Sequence, residues 1–268
     1  MKVWKALTIT SALATSLCIA GFGVMVYDQF LVRESNISSL IKEKEEETNV
    51  KKDSSHLHIV ALGDSLTRGI GDEDGKGYVG FAVDELKQRT EREINVSNLA
   101  IRGLRSEELI QQLKESEVKR QIAQADVIMM TIGGNDLFQS GNILRDLSKE
   151  QISSTQDKFT ENLHAIFQSI RSVNKTAVIY YVSLYNPFSE ILEKETTTNI
   201  VREWNFHSAN VVSSYDNIIA VPTYDIFELH LEDYLYTDQF HPNGNGYKLM
   251  GERVASLITF KEEAEGSE

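Results

Sequence analysis

From residue 56 onward, short apolar runs of β type alternate with stretches of helical periodicity, and this alternation most limits what the chain can fold into. The β-type runs are Ile59–Leu62, Ile94–Ala100, Val127–Ile132, Ala177–Val182 and Ile218–Val221. Between and after them, apolar residues recur at helical spacing over Tyr78–Arg89, Ser106–Lys119, Phe159–Val173, Ile200–Ser214 and Gly246–Ile258. Val127–Ile132 reads as a continuous apolar strand, as expected in a sheet covered on both faces. The pattern predicts an α/β protein with three α/β/α layers around a flavodoxin-like, parallel, five-stranded sheet and right-handed crossovers. Residues 56–262 supply enough chain for one substantial core. Two long connections, Asp136–Thr155 and Leu184–Asn199, leave the carboxyl ends of the third and fourth strands. Loops on that face either shape a substrate site or are tolerated insertions.

The first 55 residues are of another kind. Lys2 and Lys5 precede a mostly apolar, uncharged run over residues 6–27, about the length that crosses a bilayer. The run is longer than the core of a cleaved signal peptide. Residues 1–32 are therefore read as an uncleaved signal-anchor, with secretion after cleavage as the alternative. Lysines on the N-terminal side put the remainder outside the cytoplasmic membrane. Cys18, the only cysteine, lies inside this run, so no internal disulfide forms, and Leu17 before it argues against a lipoprotein signal. Residues 33–55, with Lys42-Glu43-Lys44-Glu45-Glu46-Glu47, read as a charged linker, and 263–268 as an acidic tail. A formal net charge of −13 excludes a nucleic-acid groove, which needs clustered Lys and Arg.

Chemistry is expected where strands end. Gly63-Asp64-Ser65-Leu66 closes the first β run, and in an open parallel sheet reacting groups sit beyond the carboxyl ends of the strands. Taken alone, Gly-Asp-Ser is also ordinary turn chemistry. Three further segments occupy comparable places: Asn98–Gly103 after the second strand, Gly133-Gly134-Asn135-Asp136 after the third, and Asp238–Asn243 before the last helix. A serine nucleophile needs a base, a group to orient it and donors for the oxyanion, and these segments hold those residue types.

With these four segments in this order, residues 56–258 resemble the SGNH, or GDSL, hydrolase family. The resemblance implies that Ser65 is the nucleophile, His241 the general base and Asp238 the third member of a triad. It implies an oxyanion hole made by the Ser65 and Gly103 backbone N–H groups and the Asn135 amide. Asp64 is read as support for the nucleophile turn, and Asn98 as a tie between loops. Ser65 is followed by Leu66-Thr67, so the Gly-x-Ser-x-Gly elbow of the α/β-hydrolases is absent. Leu104 stands where the family often has a small polar residue, which puts substrate contacts in doubt rather than the triad.

The resemblance implies a serine esterase that needs no cofactor. Neither a glycine-rich dinucleotide motif nor a Walker motif is present, and His56-x-His58 lacks the further ligands a metal requires. The expected partner is a small-molecule or lipid ester. A lipase-like or lysophospholipase-like acylhydrolase is favoured, with an O-acetylesterase acting on an acetylated glycan as runner-up. Leu137, Phe138, Ile143, Leu144, Tyr185, Phe188, Ile191 and Leu192 form either an acyl groove or ordinary loop packing. A non-catalytic surface binding domain is the rival from another class.

Overall fold

The computed structural model describes residues 55–138, 148–189 and 193–260. The anchor, the linker up to residue 54 and the acidic tail lie outside the described residues, as do Ile143, Leu144, Ile191 and Leu192. Among the described residues, no helix is long and apolar enough to cross a membrane.

Five strands form one sheet: β1 His56–Gly63, β2 Glu93–Asn98, β3 Val127–Thr131, β4 Val178–Val182 and β5 Ile218–Val221. Their order is β2-β1-β3-β4-β5, and every neighbouring pair is parallel. This is the expected flavodoxin-like order, with its switch point between β1 and β3. Side chains alternate across the strands. Leu57, Ile59, Ala61, Val127 and Met129 enter one core, with α2 (Gly77–Lys87) and α10 (Gly244–Leu257). Val60, Leu62, Ile128 and Met130 enter the other, beneath α3 (Ser106–Gln112), α4 (Ser116–Gln124), α6 (Lys149–Val173) and α7 (Lys194–Ser213). The three layers follow from these two faces. Short helices α1 (Ser65–Arg68), α5 (Gly134–Phe138), α8 (Tyr224–Glu228) and α9 (Leu231–Tyr234) fill connections.

Two helices depart from the periodic reading. The predicted Ser106–Lys119 helix is two helices, α3 and α4, with Glu115 extended between them at ψ 136°. Leu109 and Leu113 are buried four positions apart, as are Val118 and Ile122, but Leu113 and Val118 are five positions apart. A continuous helix would rotate the second pair off the core face. The break restores the phase.

Helix α6 begins ten residues before the expected Phe159, within the stretch read as a connection. Its first turns are polar; Ile152 packs partly against the core and Gln156 is buried. Farther along, Phe159, Leu163, Ile166, Phe167 and Ile170 are fully buried, each stabilising by roughly 2 kcal/mol. That anchored segment carries the weaker turns. Helix α7 likewise starts at Lys194, so both connections are shorter than expected.

The end of β1 fixes the chain's exit. Gly63 has φ 114°, and a Cβ there would fall 1.7 Å from the Thr131 carbonyl oxygen of β3. Only glycine combines that dihedral with that approach. The chain therefore leaves the sheet tight against β3 and turns directly into Asp64 and Ser65.

Candidate active site

Ser65 is the first residue of α1 and is buried. Asp64 caps the helix, accepting the Leu66 N–H at 3.0 Å. Beneath Ser65 runs a buried hydrogen-bonded chain. Thr131 Oγ1 donates to Asp64 Oδ1 at 2.7 Å, and the Thr131 and Thr67 hydroxyls meet at 2.7 Å. Tyr78 and Thr67 meet in turn at 2.8 Å. With Thr131 committed to Asp64, each hydroxyl has one consistent direction: Tyr78 donates to Thr67, and Thr67 to Thr131. Backbone bonds from Thr67 N to Thr131 Oγ1 (3.2 Å) and from Thr131 N to Thr67 Oγ1 (3.1 Å) lock α1 onto β3.

Asp64 Oδ2 is buried with no hydrogen-bond partner among the described residues. Burial pushes the Asp64 carboxyl up to about 6, against the opposing bonds from Thr131 and Leu66. Burial also raises the Tyr78 hydroxyl, so this donor stays protonated.

His241 and Asp238 lie on the loop before α10. His241 Nε2 is 2.8 Å from Ser65 Oγ, and Nδ1 is 2.7 Å from Asp238 Oδ2. With the proton on Nδ1, the ring donates to Asp238 and accepts from Ser65. Asp238 Oδ1 accepts the Phe240 and His241 N–H groups, both at 3.0 Å. Burial raises the Asp238 carboxyl, but the hydrogen bonds from the His241 ring and these two N–H groups outweigh it, and its pKa falls below the ordinary value. The loop is pinned in turn: Tyr236 N–H donates to the His241 carbonyl at 2.8 Å, and Leu235 bridges Pro242.

The three expected oxyanion donors sit at adjacent strand ends: Ser65 after β1, Gly103 after β2, Asn135 in α5 after β3. Neither the Ser65 nor the Gly103 N–H has a backbone partner among the described residues. A side chain at Gly103 would project into open space. Asn135 Nδ2 donates to the Leu104 carbonyl at 3.0 Å, which holds the amide and leaves its other N–H. Asn98 ties loops as read from the sequence, bonding the Thr67 carbonyl at 2.9 Å and the Ala100 N–H at 3.1 Å.

Several supporting residues escaped the sequence reading. Thr131 lies inside a run read as apolar, and its polarity there was the available signal. Asp136 accepts the Ser106 hydroxyl, and its oxygens take the Ser106 N–H at 3.2 and 3.1 Å. Asn162 Nδ2 donates to Ser106 Oγ at 2.9 Å. These bonds join α3, α5 and α6 behind Asn135 and Leu104; in sequence, only Asp136 beside Asn135 hinted at them. Gly71, at φ 99°, passes so near the loop that a Cβ would lie 2.9 Å from His241 Cβ and 2.5 Å from the Pro242 carbonyl. Beside Ser65 is a cavity of about 20 Å³, lined chiefly by Leu66, Phe138, Leu184, Tyr185 and Phe240. It has room for roughly one small group. Leu137 belongs to the core instead of a groove.

The buried carboxyl gives a pH test. A carboxyl with its folded pKa raised from 3.8 to about 6 favours the native state while protonated, and that contribution is lost as pH rises through this window. Asp64→Asn cannot ionise, so its unfolding free energy should gain on the wild type by roughly 2 kcal/mol between pH 4 and pH 7.5, since the unfolded carboxyl is already half ionised at the lower value. Denaturant titrations of both proteins at the two pH values measure this. Equal pH dependence would show that Asp64 is not the group that titrates.

The family model described as GDSL-like Lipase/Acylhydrolase matches residues 59–254. The uncharacterized protein YpmR of Bacillus subtilis is 36% identical over 229 residues, covering 82% of this chain and 88% of that protein. The spore germination lipase LipC of Bacillus licheniformis is 31% identical over 207 residues, 74% of this chain and 94% of that one. Among solved structures, the lipase Lip_vut3 from a goat rumen metagenome superposes with a TM-score of 0.69 at 28% identity, covering 75% of this chain and 96% of its own. Matched in this way over most of its described sheet and helices, the chain belongs to the GDSL-like lipase/acylhydrolase family and is a hydrolase that cleaves esters.

Proposed function

We propose that Ser65 is the nucleophile of a carboxylic-ester hydrolase working through an acyl-enzyme, with His241 as base and acid and Asp238 as its orienting carboxylate. The observation that carries this reading is the unbroken chain Asp238–His241–Ser65, with links of 2.7 and 2.8 Å. His241 Nε2 takes the Oγ proton as Ser65 attacks the ester carbonyl. The ionised Asp238 stabilises the imidazolium. The tetrahedral oxyanion is received by the Ser65 and Gly103 N–H groups and the Asn135 amide. His241 then protonates the leaving alkoxide, and the alcohol departs. A water deprotonated by the same imidazole attacks the acyl-enzyme, the carboxylic acid is released, and Ser65 recovers its proton.

The acyl group in this reading is short. The apolar cavity beside Ser65, about 20 Å³ between Phe138, Leu184, Tyr185 and Phe240, suits an acetyl-sized group better than a long lipid chain. The reaction takes place outside the cytoplasmic membrane, with residues 6–27 as the anchor. The support is the length of that run and the position of Lys2 and Lys5 before it.

Three outcomes are expected. In the full chain, Ser65→Ala should lower kcat on p-nitrophenyl acetate by at least ~10³-fold with the fold intact by circular dichroism; retained turnover would remove Ser65 from the reaction. Asn135→Ala should cost about 10²–10³-fold in kcat through loss of one oxyanion donor, whereas an unchanged kcat would make the amide purely structural. Protease added to intact bacterial spheroplasts making the full chain should digest the hydrolase domain. Digestion only after lysis would place the domain inside.

A further inference from the structure

The cavity beside Ser65 has a larger neighbour. Pro187 lines both, and the second cavity, about 580 Å³, is otherwise bounded by Leu231, Glu232, Leu235, Tyr236, Thr237 and Gln239. Its volume falls in the range of small-molecule sites. We propose that this cavity holds the alcohol portion of the ester, and that it is built for a neutral polyhydroxylated alcohol, a sugar unit, in preference to a phosphate-bearing headgroup. The proposal rests on the serine mechanism above.

Placement is the first argument. Except for Pro187, the lining comes from residues 231–239, the segment that carries Asp238 and leads into His241. In the proposed reaction, His241 hands its proton to the leaving oxygen. The alcohol must therefore emerge beside the His241 loop, while the acyl group occupies the cavity bounded by Leu66, Asn135 and Phe138. Two cavities meeting at Pro187 give each half of an ester its own space.

Rigidity is the second argument. Gln239 N–H donates to the Tyr236 carbonyl at 2.9 Å, and Tyr236 N–H donates to the His241 carbonyl at 2.8 Å. Gln239 takes φ 56°, and the Leu235–Pro242 bridge closes the base of the loop. The turn thus presents Tyr236, Thr237 and Gln239 from a fixed backbone, and less ordering remains to be done when a ligand binds.

Chemistry is the third. The wall offers an aromatic ring 38% exposed at Tyr236, a hydroxyl, a primary amide, a carboxylate and two leucines. A ring with a polar tip among mixed donors and acceptors suits a ligand that has an apolar C–H face and a rim of hydroxyls. Among the described residues, no Lys, Arg or His lines the cavity, and the one formal charge is Glu232. A phosphate would meet a like charge and no guanidinium or ammonium, the groups that normally receive it.

The test uses the full chain and three esters sharing one acyl group: ethyl acetate, an O-acetylated methyl glucoside and an acetyl ester of glycerol phosphate, followed by pH-stat. In the wild type, kcat/KM for the glucoside should exceed that for the glycerol phosphate ester by at least tenfold. Tyr236→Ala should lower the glucoside-to-ethyl-acetate ratio of kcat/KM at least tenfold, chiefly through KM. Gln239→Gly, which the backbone at φ 56° accepts, should lower the same ratio several-fold and guards against a Tyr236 variant that misfolds. Ratios unchanged in both variants, or a preference for the phosphate ester, would overturn the proposal while leaving the serine mechanism in place. Turnover of all three esters by Ser65→Ala would overturn the mechanism on which the proposal rests.

Discussion

The site depends on one junction, where the end of β1 lies hard against the end of β3. The Gly63 Cα stands so close to the Thr131 carbonyl that no side chain fits between them. This contact aims the backbone of residues 63–65 out of the sheet and sets the height of Ser65 above it. It also brings Thr131 within reach of both Asp64 and Thr67, so the strand pairing and the turn that carries Ser65 share one set of hydrogen bonds. β1 and β3 flank the point where the strand order reverses, so the same pairing that builds the sheet opens the crevice.

Two carboxyl groups near Ser65 have opposite surroundings. Asp64 lies under the turn, fully enclosed, and burial pushes its carboxyl up to about 6. Asp238 lies at the rim with its side chain 38% exposed, receives three hydrogen bonds, and is held below the ordinary carboxylate value. One carboxyl is suited to support a turn and the other to face a cation. Their neighbourhoods separate these tasks, whereas the sequence shows only two aspartates beside reactive-looking residues.

What could be read from the sequence follows from what is local. Strand–helix alternation, the apolar strands and the segments at strand ends are properties of short windows, and the sheet they predicted is the sheet observed. Ser65 and the turn that carries Asp238 and His241, far apart in sequence, converge because those windows lie at the same edge. The break at Glu115 was not legible, because no glycine or proline marks it and only the core it faces imposes the phase change. The early start of α6 was hidden by polar turns that are held through tertiary contact farther along the helix. The Tyr78–Thr67–Thr131 chain and the close pass of Gly71 join residues from separate elements, and no spacing rule connects them.

Asp238 and His241 are three residues apart on one pinned turn, and the link between them is settled by local backbone geometry. Of the two distances in the hydrogen-bonded chain, therefore, only the one from His241 to Ser65 has to be maintained by the tertiary structure. The connections between β1 and this turn that lie away from Thr131, Gly103 and Asn135 can gain insertions or repack, provided the sheet returns the loop to the same place. A hydrogen-bonded chain with one long-range distance to hold leaves the loops around it open to change.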